Sequence, residues 1–73
     1  MEQTLRAEMV ASVHSVVVAV GDEVVVGDTI VILESMKMEV PIEAPAAGVV
    51  TEVRCAKGDA VEEDQVVAVV EPV

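Results

Sequence analysis

The chain has 73 residues, a formal net charge of −10 and no aromatic side chain. So short a chain has room for one domain, and we expect residues 1–73 to form it. Fourteen acidic residues against four basic ones would repel a phosphate backbone, and no ring is available for base stacking, which argues against nucleic-acid binding. Apolar runs such as residues 16–20 are too short to cross a bilayer, so we expect no membrane association.

The few chemically reactive residues argue against an enzyme. A single cysteine cannot form an internal disulfide, and the first ten residues contain no apolar signal segment, so we expect a cytoplasmic setting. His14 and Cys55 show no spacing typical of a catalytic triad, and no ligand cluster indicates a metal. We expect a surface imidazole at His14, a small buried side chain at Cys55, and a monomeric, non-catalytic protein.

The first half of the chain contains three predicted strands divided by turns. Valine is the commonest residue, with 20 copies, and its branched side chain favours a pleated sheet. The apolar run of residues 16–20 is followed by Gly21-Asp22, a short apolar piece by Gly27-Asp28, and then residues 30–33 form another apolar run. Gly-Asp pairs are typical of tight turns, because glycine accepts positive φ and aspartate bonds to nearby backbone.

Residues 34–39 join this run to a further apolar segment, which predicts a β-hairpin. Its tip has a lysine between two methionines instead of the Asn-Gly or Gly-Gly usual in a two-residue turn. Two interpretations stay open at this point. Met36 and Met38 either turn inward and fill the end of the core, or stand exposed beside Lys37 as an adaptable contact surface.

After a predicted loop at residues 44–48, the second half repeats the first. Residues 13–34 overlay residues 50–71 without a gap, with seven of 22 positions identical. The fourth turn has Asp64-Gln65 at the position of Gly27-Asp28, so it either accepts a residue other than glycine or is looser than the other three. The repeat predicts an all-β sandwich or flattened barrel whose halves are related by an approximate two-fold axis.

The hairpin segment 34–39, Glu-Ser-Met-Lys-Met-Glu, resembles the biotin-attachment motif of biotin carboxyl carrier domains. The Gly-Asp turns on both sides and the Ala-Pro-Ala-Ala-Gly linker extend this resemblance to the biotinyl/lipoyl domain family over nearly the whole chain. It implies a sandwich of two four-stranded antiparallel sheets. Because residues 18–21 leave no room for the protruding thumb of some bacterial carriers, the chain is most similar to thumbless, stand-alone domains.

The resemblance also implies a role for each residue of the motif. Lys37 is the expected site of covalent biotin, attached by a biotin protein ligase, and Met36 and Met38 are expected to help the ligase and the carboxylase active sites accept the hairpin. Glu34 and Glu39 are expected to contribute to recognition or to be solvated charges at strand ends.

Ser35 stands where the family more often has alanine. Its hydroxyl is small, and we expect it to leave attachment unaffected while belonging to the recognised segment.

The implied function is that of a biotin carrier, which moves carboxyl groups as carboxybiotin from a biotin carboxylase to a carboxyltransferase. One alternative is a lipoyl carrier, which Met36 and Met38 disfavour because lipoyl domains usually have other residues beside the lysine. The second alternative is an unmodified acidic interaction module. It would account for the charge and the repeat but leave the Met-Lys-Met sequence unexplained.

Overall fold

The chain folds into two four-stranded antiparallel sheets, and the computed structural model describes residues 2–73. The strands are β1 (Gln3–Arg6), β2 (Ala11–Val16), β3 (Glu23–Val24), β4 (Thr29–Ser35), β5 (Met38–Glu43), β6 (Gly48–Val53), β7 (Ala60–Val61) and β8 (Val66–Pro72). The strand order is β1-β8-β6-β3 in one sheet and β5-β4-β2-β7 in the other. The predicted all-β sandwich is therefore confirmed. No helix in this described part of the chain could span a membrane.

The two sheets have the same strand order when the two halves of the chain are exchanged. Each strand of the first half is equivalent to the strand whose number is higher by four, so that β1 corresponds to β5 and β2 to β6. The pairing register also shifts at equivalent places, at residue 14 in β2 and at residue 51 in β6. These agreements are what an internal repeat of 37 residues predicts.

The turns repeat the same backbone design in both halves. Gly21 has φ 96° and Gly27 φ 91°, in the left-handed region that glycine adopts most easily. The carboxylate of Asp22 accepts the backbone N–H three positions earlier at 2.9 Å, and the other two Gly-Asp turns have the same bond. In the fourth turn Asp64 takes φ 70° and Gln65 Oε1 accepts the equivalent N–H at 3.0 Å. The aspartates of the Gly-Asp pairs are thus turn residues, as expected.

Small branched side chains fill the space between the sheets. The largest fully buried ones are Ile30, Leu33, Val31, Val50, Val61, Val67 and Val70. In residues 2–73 no polar or charged side chain is buried. Alternate residues of a strand point to the same face, so this core fixes which residues of β4 and β5 face inward and which face water.

The loop between the halves is one residue shorter than predicted, because Gly48 begins β6. Gly48 pairs with Pro72 of β8, and a Cβ atom at Gly48 would overlap the backbone carbonyl oxygen of Glu71. Glycine at this position permits a close approach of two backbones. It is therefore a packing residue of the sheet and not a loop residue.

Candidate functional site

The hairpin of β4 and β5 closes with a two-residue turn made of Met36 and Lys37. Ser35 and Met38 form the last strand pair, and the two residues between them have φ 52° and φ 66°. Positive φ at both central residues is the feature of a type I′ hairpin turn, which usually contains Asn-Gly because other residues adopt it at a cost of about 1–2 kcal/mol each. The lysine thus lies at the extreme tip of the hairpin, on a backbone that its residue type does not favour.

The hairpin extends past the end of the core. Leu33 pairs with Val40, and this pair belongs to the last core layer. Two further pairs and the turn follow, so the last pair stands roughly 7 Å beyond that layer at the usual rise per strand residue, and the turn stands further out. Met36 is 91% exposed and Met38 is 67% exposed. The interpretation in which the methionines fill the core is therefore wrong: both side chains stand exposed beside Lys37, and their role as a contact surface stays a prediction.

Lys37 is exposed, and within residues 2–73 its amine has neither a hydrogen bond nor an ion pair. Glu34 and Glu39 are also exposed and lie directly opposite each other on β4 and β5. Like charges in directly opposed positions destabilise a strand pair. The two carboxylates therefore do not serve hairpin stability, and they place negative charge next to the lysine.

The sequence did not indicate that a histidine lies near the Met-Lys-Met motif. His14 Nε2 lies 4.0 Å from Glu39 Oε2, and both side chains are substantially exposed. Strand β4 runs between β2 and β5, so the two side chains meet over its outer face. The exposed imidazole agrees with the expectation for His14. Its contact with Glu39 joins residues 25 positions apart and depends on strand order, which no local motif encodes.

Cys55 lies inside the sandwich, as expected. Burial, and to a smaller extent the nearby Asp59 carboxylate, raises the pKa of its thiol above the ordinary value. Because the thiolate is the reactive form of cysteine, this side chain is a poor nucleophile at neutral pH. Within the described residues, no three histidine, cysteine or acidic side chains are grouped as metal ligands.

Comparison with known protein sequences gives relatives over nearly the full chain. A family model described as "Biotin-requiring enzyme" (Biotin_lipoyl) matches residues 3–70. The "Biotinylated protein TB7.3 homolog" of Mycobacterium leprae is 47% identical over 70 residues, which are 96% of this chain and 99% of that protein. The "Biotin/lipoyl attachment protein" of Bacillus subtilis is 43% identical over 63 residues, 86% of each chain.

Comparison with solved structures gives the same fold inside much larger proteins. Urea carboxylase of Kluyveromyces lactis superposes with a TM-score of 0.91 and 35% identity, over 97% of this chain and 6% of that one. A single-chain, multi-domain long-chain acyl-CoA carboxylase gives a TM-score of 0.92 at 29% identity, over 99% and 7%. The family description also confirms biotin as the predicted cofactor. The chain therefore belongs to the Biotin_lipoyl family and is related to domains of biotin-dependent carboxylases.

Proposed function

We propose that this chain is a biotin carrier, acylated on Lys37, that moves carboxyl groups between the active sites of a biotin carboxylase and a carboxyltransferase. The observation that carries the proposal is the exposed amine of Lys37 at the tip of a two-residue turn, with exposed Met36 and Met38 on either side. In this proposal residues 1–73 act as one carrier domain, and partner enzymes perform the catalysis.

Attachment requires an amine that another enzyme can reach. A biotin protein ligase would first join biotin's valeryl carboxyl group to AMP, consuming ATP and releasing pyrophosphate. The neutral amine of Lys37 Nζ would then attack the acyl carbon of this biotinyl-adenylate, forming the amide while the bond to AMP breaks and AMP and a proton are released. No contact within residues 2–73 has to be broken to release the amine. The amide removes one positive charge, so the formal net charge changes from −10 to −11 on attachment.

A carrier presents the same tip to several enzymes in turn. Met36 and Met38 have unbranched, flexible thioether side chains, which can adapt to differently shaped active sites. Below them, the hairpin continues into the core through β4 and β5, which fixes the position of the tip. Bound biotin supplies the group that carries the carboxyl, and tethering it to the domain raises its effective concentration at each active site.

The residues next to the turn have a proposed role in recognition. Glu34 and Glu39 place two exposed carboxylates beside Lys37 without forming an ion pair with it. A ligase or carboxylase with basic groups around its active site would be attracted to this pair of charges. Ser35 presents a small side chain at the base of the turn, where it pairs with Met38 and leaves the lysine uncovered.

The proposed carrier is itself non-catalytic, monomeric and cytoplasmic. The buried thiol of Cys55 is in its unreactive form, and the exposed His14 has a single carboxylate neighbour, Glu39. Neither arrangement provides a nucleophile activated by a base, which covalent catalysis requires.

The proposal is tested by intact-mass spectrometry after incubation with a biotin protein ligase, biotin and ATP. The chain has only two lysines, Lys37 and Lys57, both exposed, so each is the control for the other. We expect one biotin on the native chain and on Lys57→Arg, and none on Lys37→Arg, which keeps the charge but cannot form the amide. A biotinylated Lys37→Arg variant, a lipoyl adduct from cells, or an unmodified native chain would each contradict the proposal.

A further inference from the structure

Four exposed valines lie in the two turns on either side of β3. Val17, Val20, Val25 and Val26, named here the valine patch, are between 53% and 68% exposed. Single exposed apolar residues are ordinary on protein surfaces. Four of them within ten residues, on an otherwise strongly charged chain, form a concentration of apolar surface that is typical of contact sites.

The internal repeat shows that the fold does not require valine at these positions. A shift of 37 residues places Arg54, Lys57, Glu62 and Glu63 at the equivalent positions, and all four are exposed. The turns that carry them have the same backbone: Gly58 has φ 92°, and the equivalent aspartate bond is again 2.9 Å. One backbone design therefore carries charged residues in one half and valines in the other, so the patch requires an explanation other than folding.

The valine patch lies at the end of the molecule opposite Lys37. Strand β4 starts at Thr29, beside one of the two turns, and ends at Ser35, beside the attachment tip. Its seven residues span about 20 Å. The N–H of Val17 donates to the carbonyl of Ile30 at 3.0 Å, which places the other turn, the one before β3, at the starting end of β4 as well. A protein bound to the patch would leave Lys37 uncovered.

The surroundings of the patch indicate the charge of its partner. Asp22, Glu23 and Asp28 line, together with Val17, an open hollow of about 350 Å³, and residues 17–28 contain no basic residue. A second copy of this chain, or an anionic lipid surface, would bring carboxylates against negative charge. An apolar protein surface surrounded by lysines or arginines would complement both the valines and the acids.

We propose that the valine patch is a docking surface for a partner enzyme of the carboxylase system, and that this enzyme contacts it through apolar side chains ringed by lysine or arginine. The identity of the partner rests on the proposed carrier function; the existence of the docking surface does not. Docking at this end would hold the domain on the enzyme while the Lys37 hairpin stays free to enter active sites.

The sharpest variant transfers the residues of the second half to the first: Val17→Arg, Val20→Lys, Val25→Glu and Val26→Glu together. Two positive and two negative charges are added, so the net charge stays at −10. Each new residue is one that the same turn already has in the other half. Affinity is measured by calorimetry against the purified biotin carboxylase and carboxyltransferase subunits of the source organism. The control in the opposite half is Lys57→Gln/Glu62→Gln, which also keeps the net charge at −10.

We expect at least one subunit to bind the native chain. The fourfold variant should bind the same subunit at least about tenfold more weakly, and the control should bind it as the native chain does. A tenfold loss of affinity corresponds to the free energy of burying a single valine side chain. Biotinylation at Lys37 should proceed normally in the variant. If the circular dichroism spectrum of the fourfold variant differs from the native spectrum, the double variant Val20→Lys/Val25→Glu is used instead. This variant also leaves the net charge unchanged.

Equal affinity of native and variant chains would overturn the proposal, as would failure of both subunits to bind the native chain. A native dimer in sedimentation equilibrium that the variant abolishes would assign the patch to a second copy and overturn it too. The same measurements on Lys37→Arg separate docking from the carrier function. A patch-dependent affinity in that variant supports docking whether or not Lys37 carries biotin.

Discussion

The backbone of Met36 and Lys37 is the least expected feature of the hairpin tip. Elsewhere in residues 2–73 a positive φ occurs at three glycines and at Asp64, residue types that tolerate it. Methionine and lysine do not share this tolerance. The tip therefore gives up some hairpin stability to place a thioether and an amine where a tight turn would usually have Asn-Gly.

Replacement of Met36 by asparagine tests whether the positive φ at this residue lowers the stability of the protein. We expect Met36→Asn to raise the free energy of unfolding by about 0.5–1 kcal/mol, because asparagine adopts positive φ more readily. Met38→Asn is the matched control, since Met38 lies on β5 with ordinary strand geometry and should give no gain. Urea unfolding measures both. A Met36→Asn chain no more stable than the native one would show that the turn is unstrained.

At this scale the sequence predicted which residues lie at the tip of the hairpin but not their geometry. Lys37 and its flanking methionines follow from the motif and its position between two predicted strands. The positive φ at Met36 and Lys37 could not be predicted, because both residue types ordinarily avoid it. The contact of His14 with Glu39 could not be predicted either, because it depends on β4 lying between their strands.

At the scale of strands, the repeat predicted most of the fold. The apolar runs and Gly-Asp turns located β3, β4 and β6 to β8, and the hairpin located β5. Strand β2 was placed too late in the chain, because it ends at Val16 and residues 17–20 of the apolar run lie beyond it. Strand β1 was missed, because it has four residues with a single buried side chain, Leu5. Its counterpart β5 shares with it only the apolar pair Leu5 and Ile42. So short an element is specified by its pairing with β8, which is a tertiary contact.

The contact of β6 with β8 gives the clearest stability prediction at this scale. We expect Gly48→Ala to lower the free energy of unfolding by about 3 kcal/mol, because the new Cβ would overlap backbone atoms of Glu71, which cannot rotate away. Gly27→Ala is the control: its Cβ would have open space, and the loss of about 1 kcal/mol would come from φ 91° alone. Equal losses in thermal or urea unfolding would contradict this account of Gly48.

At the scale of the molecule, a nearly symmetric body has two different ends. The Lys37 hairpin projects at one end, and the valine patch covers the turns at the other. The long dimension of the molecule is 35 Å against 17 Å for the other two, so the ends are well separated. A symmetric repeat thus provides the scaffold, and the residues that break the symmetry are the ones with a proposed function.

The surface of the molecule is mostly negative, and few of its carboxylates are paired with a positive side chain. Fourteen acidic side chains face four basic ones, and within residues 2–73 the ion pair between permanently charged groups is an exposed Arg54–Glu52 contact at 2.9 Å. The 4.0 Å contact of His14 with Glu39 is an ion pair only when the imidazole is protonated. Exposed pairs contribute little to stability. Repulsion among the carboxylates therefore outweighs attraction in the free chain, whereas attraction governs its approach to a basic partner.

Salt should consequently act in opposite directions on the free chain and on its complexes. Between about 0.01 M and about 1 M NaCl the screening length falls from about 30 Å to about 3 Å. We expect the thermal midpoint of the free chain to rise over this range. When the carrier is at limiting concentration, we expect the rate of carboxyl transfer to it from a biotin carboxylase to fall. Free biotin as the substrate controls for salt effects on the enzyme itself. A carrier-dependent rate that is unchanged by salt would contradict a basic docking surface, because screening of two complementary charged faces must slow their encounter.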